Sequence, residues 1–420
     1  MIKKQIISIE NIDFLLFGAL LVSFFLHYRI NGFIAMLIII FGVFKVVSKK
    51  QSFAKFSGLL FLPLLFILLV IGQFYTTDLK EGWTLVERNL SLILLPIACG
   101  SIVKMPIKKQ NYLINIFIGF AVLIGLYCIG YATLYAFKTG SIYTHPTDTH
   151  FIYNSFMHHR LTAPVGLHAV YYSVFIAFAG SVLVARIVQP QIKKSKKIRY
   201  GFILAFIILL LYLLKSANIT LGFSLVSVFI ILARFGKQIL HSKKMLAYFI
   251  AGTVVLSVFV FKTVQTKLEV FSFTYQMSDE GLKPLAIRLS IWECTWEVIQ
   301  ENWLLGTGTG DSQHELMKKY KANNFTIGIK NDFNAHNMYL QYWMSNGIIA
   351  LFLFLGGILF LLKKAVQNKN VVAVSFLVLF ALFSLTESTM RTQKGMLFFV
   401  FFASLFYWYP QLWQTEQSEK

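Results

Sequence analysis

The chain alternates long apolar runs with short basic or polar breaks. A bilayer-spanning helix needs ~20 predominantly apolar residues. Runs of that kind fall at 12–27, 30–47, 56–75, 84–103, 112–137, 169–188, 201–215, 217–234, 245–261, 337–361, 371–387 and 395–409. The pattern predicts an all-α, polytopic membrane protein of about 12 transmembrane helices. Helices 1–9 occupy 1–261, a large helical outer loop occupies 262–336, and helices 10–12 occupy 337–420. An even number of spans puts both termini on one side.

Composition supports a lipid solvent. Of the 420 residues 57% are hydrophobic and 14% charged, where soluble domains carry roughly a quarter charged residues. The net charge of +21 raises nucleic acid as a partner, but its distribution argues against it. Basic residues cluster in every second connection: Lys45, Lys49, Lys50 and Lys55; Lys104, Lys108 and Lys109; Lys193, Lys194, Lys196, Lys197 and Arg199; Arg234, Lys237, Lys243 and Lys244; Lys363, Lys364 and Lys369. This is the positive-inside pattern, which makes the termini cytoplasmic. These clusters also suit anionic headgroups, so membrane lipids are expected partners and nucleic acid is not. Cys99 and Cys128 sit in apolar runs, Cys294 is alone on the outer side, and no CxxC pair is present. Lys3 and Lys4 precede an apolar run with no small-residue cleavage site, which predicts an uncleaved first span.

Two outer segments exceed mere connectors. The first, 138–168, holds His145, His150, His158, His159, Arg160 and His168. No clean i,i+4 histidine pair and no cysteine joins them, so no metal site is expected. In the second, PLAIRLSIWECTWEVIQENWLLGTGTG (284–310) predicts a helix opening at Pro284. Arg288, Trp292, Thr295 and Ile299 share one face of it, and Glu293, Glu297 and Glu301 form another stripe. Gly306, Gly308 and Gly310 then allow a sharp turn. No Gly-Lys-Ser/Thr follows, so this is no Walker A loop. Arg288 reads either as a solvated or glutamate-paired residue or as an anion fork. Trp292, Trp296 and Trp303 read as interfacial anchors or as a sugar platform. In DFNAHNMYLQYWMSNG (332–347), His336 and Asn337 open a long apolar helix with Asn334 as the expected N-cap. A helix N terminus disfavours imidazolium, which makes His336 a candidate neutral base. Glu87 and Arg88, near the outer end of the fourth span, and Glu387, near that of the eleventh, read equally as functional or solvated.

Arg288, Leu289 and Trp292, then Asn302 with Gly306, Gly308 and Gly310, then His336, Asn337, Leu340, Gln341 and Gly347 resemble the signature of the O-antigen ligase and polymerase superfamily. The closing LTESTMRTQKGMLFFVFF is similar to that family's last helix pair. The resemblance implies a bacterial inner-membrane glycosyltransferase with a periplasmic loop. It implies metal-independent, inverting transfer of a glycan from undecaprenyl diphosphate, without a cofactor, onto a sugar hydroxyl. The acceptor is lipid A-core for a ligase and another lipid-linked glycan for a polymerase. Family arginines bind the donor diphosphate and the loop histidine acts on the acceptor, roles that fall to Arg288 and His336. Asn337, Trp292 and Gln341 are further candidate substrate contacts. The family places an arginine just after the turn before the eighth span, where LLKSANITLG has Ala217. Lys215 is the candidate substitute, with Arg88, Arg160 and Arg391 as other outer-side arginines. A lipid-linked glycan transporter or flippase fits twelve spans equally well, but no paired Gly/Pro-broken helices or matching halves are evident. An envelope scaffold is a third reading. No inner connection is long enough for a cytosolic Rossmann-type domain.

Overall fold

A computed structural model describes residues 9–48, 56–101, 105–143, 154–247, 252 and 284–413. Within them the chain is helical, with an isolated Tyr143–Asn154 bridge and no strand. The first half comprises α1 (Ile9–Ser23), α2 (Tyr28–Val47), α3 (Phe61–Ile71), α4 (Leu79–Arg88), α5 (Ser91–Gly100), α6 (Ile107–Thr139), the short α7 (His158–Thr162), α8 (Ala169–Ile187), α9 (Lys194–Leu214) and α10 (Ala217–His241). The rest comprises α11 (Pro284–Glu301), α12 (Ser312–Ala322), α13 (Thr326–Asn331), α14 (Met338–Gln367), α15 (Val371–Ser384) and α16 (Gln393–Trp408). Most of the expected span at 245–261, all of 262–283, and His145 and His150 lie outside the described residues.

Among the described residues six helices, α2, α6, α8, α9, α10 and α14, are long and apolar enough to cross a membrane. The apolar stretches Asn11–Ser23, Phe61–Phe74 and Val371–Ser384 are shorter. Two expected spans are not single helices. Residues 84–103 divide at Asn89: α4 is amphipathic, with Asp78 capping its start by accepting from Glu81 N (2.9 Å), whereas α5 is apolar. The expected span 337–361 breaks at Gly347 (φ 78°, ψ −177°), and the helix continues from there to Gln367.

α8 is the hub, with 89% of its apolar window buried. Ala169, Ser173, Ala177, Gly180, Ser181 and Ala185 keep its surface narrow, and small residues let helix backbones approach closely where lipid gives no hydrophobic drive. Rings fill the remaining space: Phe175 meets Phe398 at 4.6 Å, Phe178 meets Phe402 at 5.0 Å, and Phe380 stacks on Phe399 at 4.4 Å. Lys45, expected among solvated inner lysines, is instead 3% exposed and paired with Asp13 at 2.7 Å. Buried among apolar helices, an unpaired ammonium is too costly, and the α1–α2 hairpin brings a carboxylate to it.

The described part of the outer loop has its own core. Ile291, Cys294, Val298 and Ile299 of α11 pack on Leu316 and Tyr320 of α12, with Phe325 and Met344. Asn323 donates to Glu297 (3.0 Å) and Lys319 pairs with Glu301, so two members of the glutamate stripe hold α12.

Candidate active site

The glycine run is a backbone clamp. At Gly347 the α14 ladder is interrupted, and the segment after α11 takes over its hydrogen bonds. Ile348 N donates to Trp303 O (3.1 Å), Thr307 N to Met344 O (2.9 Å) and Gly308 N to Ser345 O (3.0 Å). Such close approach excludes a side chain: a Cβ on Gly347 would lie 2.0 Å from Leu304 O, and one on Gly306 (φ 75°) would lie 2.5 Å from the Ser345 carbonyl carbon. A third element is sewn on beyond it. Thr309 Oγ1 donates to Leu69 O (2.7 Å), and Gly310 N donates to Thr76 Oγ1 (3.0 Å). Asp311 accepts from Thr77 N (2.7 Å) and Asp78 N (2.8 Å). Burial alone would raise the Asp311 carboxyl, but these hydrogen bonds outweigh it and hold its pKa below the ordinary carboxylate value.

At the other ends of α11 and α14, an arginine and a histidine converge on one carboxylate. Arg288 Nη2 lies 3.6 Å from Glu387 Oε1, and His336 Nδ1 lies 3.4 Å from Glu387 Oε2, a contact outside good hydrogen-bond geometry. The Glu387 side chain is 9% exposed, whereas Arg288 and His336 are 26% and 24% exposed. The acid is thus enclosed while both basic side chains remain reachable. Burial pushes the Glu387 pKa up, but His336, His168 and Arg288 pull it further down, leaving it below the usual value. Glu387 is therefore a carboxylate at neutral pH. His336 sits at φ 43°, its N–H donating to Asn334 Oδ1 (3.0 Å). A non-glycine residue held there stores about 1–3 kcal/mol of strain.

The expected cap is corrected. Asn337, not Asn334, caps α14, accepting from Tyr339 N (3.0 Å) and Leu340 N (3.2 Å), because its extended backbone aims the side chain at the first free amides. Gln341 is 2% exposed and accepts from Ala335 N (3.4 Å), supporting the loop beneath His336. Trp292 is half-buried against the outer-loop core with its indole N–H unpartnered.

His168 and His159 lie beside this cluster, their rings 4.3 Å apart. Both are exposed. Surrounding protein atoms nevertheless lower the His168 pKa, with His336 and Arg288 adding to it against the pull of Glu387. Such atoms, helped by His168, lower His159 to about 4. His159 Nδ1 accepts from Ala169 N (3.3 Å), which makes it a cap for α8. Among the described residues no group of three potential metal ligands forms.

The other candidate cations lie apart. Arg160 is exposed on α7. Lys215, in the left-handed turn between α9 and α10, is 5% exposed with its ammonium 3.8 Å from the Tyr212 ring centroid. Just past Ala217, Asn218 Nδ2 donates to Thr386 Oγ1 (3.0 Å), so the α10 start abuts the Glu387 turn. Arg391 turns towards Ser312, Nη1 to Oγ 3.4 Å. Sequence reasoning left Glu387 between two readings and set His168 aside with the metal question. The signal for Glu387 was an acid between two apolar helices, which is rarely idle; its partners are visible only in three dimensions.

A search of curated proteins returned no match. Residues 200–355 match a family model described as O-Antigen ligase. The matched segment holds Arg288, His336 and the glycine clamp, while Glu387 and His168 lie outside it. The match covers 156 of the 420 residues, and through this segment the chain is similar to the O-antigen ligase family.

Proposed function

We propose that the protein is a membrane glycosyltransferase that moves a glycan from undecaprenyl diphosphate to a sugar hydroxyl, lipid A-core in the ligase reading, at the periplasmic face of the bacterial inner membrane. The carrying observation is the convergence of Arg288 and His336 on the two oxygens of Glu387. His336 Nδ1 faces Glu387, so Nε2 is the atom that takes the proton of the acceptor hydroxyl. As that proton arrives, the enclosed carboxylate stabilises the imidazolium, much as an aspartate does in a catalytic triad. The acceptor oxygen attacks the anomeric carbon opposite the leaving group, and the carbon–oxygen bond to the diphosphate breaks with inversion. Diphosphate leaves as a stable anion, so the leaving group needs charge stabilisation rather than an acid. Arg288 suits that need through its planar fork. The chemistry requires neither metal nor cofactor.

The reading is tested by reconstituting purified protein in liposomes with a lipid-linked glycan, with and without lipid A-core. His336→Ala is expected to lower transfer by about 10²–10⁴. Glu387→Gln, which keeps shape and removes charge, is expected to lower kcat on the order of 10²-fold or more while the protein stays folded. Transfer at near-normal rates by both variants would remove this assignment. Products found only on lengthened lipid-linked chains would replace ligase by polymerase. Transbilayer movement of labelled glycan without a new glycosidic bond would replace both by a flippase. Activity is expected to survive chelator.

A further inference from the structure

The bundle end remote from Glu387 carries two cavities that the proposed transfer does not use. One, of about 230 Å³, lies where α14 and α16 end and α15 begins, with Leu361, Leu377, Ala403 and Phe406 as its apolar wall and Lys364 and Asn368 at its mouth. The other, of about 140 Å³, lies on the opposite side of the same turn, with Val188, Ile230 and Val372 inside and Arg234 and Lys369 outside. We propose that this pair of cavities holds an anionic glycerophospholipid, phosphate at the basic mouth and upper acyl chain against the apolar wall.

Three observations support a lipid over a soluble anion. The stretches that line the cavities, 361–377 and 403–410 for the first and 185–189, 230–234 and 369–372 for the second, contain basic residues and no Asp or Glu. The lining is therefore basic and favours a phosphate, as basic pockets between transmembrane helices do. Each cavity is smaller than the roughly 300–1,000 Å³ that encloses a whole small molecule, so its occupant must continue outside. What lies outside is apolar: Phe360 and Val366 are 38% and 56% exposed beside Lys364, whose ammonium rests 5.9 Å from the Phe360 centroid. A lysine that extends along an apolar surface to the headgroup level is placed to meet a phosphodiester.

The test is native mass spectrometry of the full-length protein in mild detergent, titrated with phosphatidylglycerol or with phosphatidylcholine of identical chains. Phosphatidylglycerol is expected to be retained at lower concentration. Lys364→Ala should weaken retention about fivefold and the pair Arg234→Ala/Lys369→Ala about thirtyfold, the worth of one and of two basic side chains at an anionic headgroup. Lys243→Ala/Lys244→Ala removes two charges from the same end outside both cavities and should leave retention unchanged. Ala403→Leu fills the first cavity without changing charge and should weaken retention. Equal retention of the two lipids, equal loss in the Lys243/Lys244 control, or displacement by inorganic phosphate as effective as by lipid would each overturn the proposal.

Discussion

Gly347→Ala should unfasten the outer loop, and its cost can be worked from the contacts. At φ 78° and ψ −177° the residue lies in a region open essentially to glycine, which costs any other residue about 1–3 kcal/mol. The new methyl would sit 2.0 Å from Leu304 O, so the clamp must open. Opening forfeits the bonds from Ile348 N, Thr307 N and Gly308 N, each worth about 1 kcal/mol net. Together these give a destabilisation of roughly 4–6 kcal/mol if the clamp is lost outright. Gly356→Ala is the internal control, because it lies in the same helix and its added Cβ meets nothing within 4 Å. There alanine should be neutral or stabilise by about 0.5–1 kcal/mol. Thermal unfolding in detergent, with limited proteolysis of the 284–335 region, reads both variants. Equal stability of Gly347→Ala and Gly356→Ala would show that the glycine is not needed for the clamp.

Other outcomes follow from individual contacts. Asp311 has its pKa lowered in the folded protein, so its contribution is full above the ordinary carboxylate value near 3.9 and is lost as pH falls through the still lower folded value. Amide exchange at Thr77 and Asp78 should accelerate in that acid range, and Asp311→Asn should abolish the acid step. Asp13→Ala leaves Lys45 buried alone and should cost about 3–5 kcal/mol, whereas the double replacement Asp13→Leu/Lys45→Met should recover most of it; equal unfolding temperatures for the two would count against the pair. Arg288→Lys keeps the charge but not the fork, so it should raise KM for the diphosphate donor and leave the unfolding temperature unchanged.

Much of the fold was legible because its signals are local. Apolar runs of near-span length mark helices whether or not their partners are known, and the segment from Pro284 to Glu301 is helical as its pattern predicts. Most of the misreadings share one cause, which is tertiary. The division of 337–361 at Gly347 changes no hydropathy, since the broken ladder is repaired by residues far away in sequence, whereas at Asn89 the bonds are local and the change from amphipathic α4 to apolar α5 lies in the sequence. Lys45 looks like any inner lysine until Asp13 is placed beside it. Asn334 and Asn337 are equivalent as caps until backbone angles select Asn337. For the site, the sequence reading set His336 against a helix N terminus alone and omitted the carboxylate that faces it.

The clamp and the charge cluster are mechanically one unit. From Glu301 back to Arg288, α11 is a lever of about 20 Å, held at one end by the segment docked on Gly347 and meeting Glu387 at the other. A tilt of about 10° at the clamp would move Arg288 by about 3.5 Å over that length, as large as its present 3.6 Å separation from Glu387. His336 is tied to the same clamp through the short stretch of α14 before Gly347, so the two basic side chains would shift relative to each other as well as to the acid. Proximity contributes to rate only while reacting groups stay within a few tenths of an ångström of their working positions. In the proposed mechanism Gly347 would therefore serve catalysis without touching substrate. In Gly347→Ala molecules that remain folded, transfer should fall together with loop docking, and activity retained in protein whose loop is cleaved freely by protease would break that link.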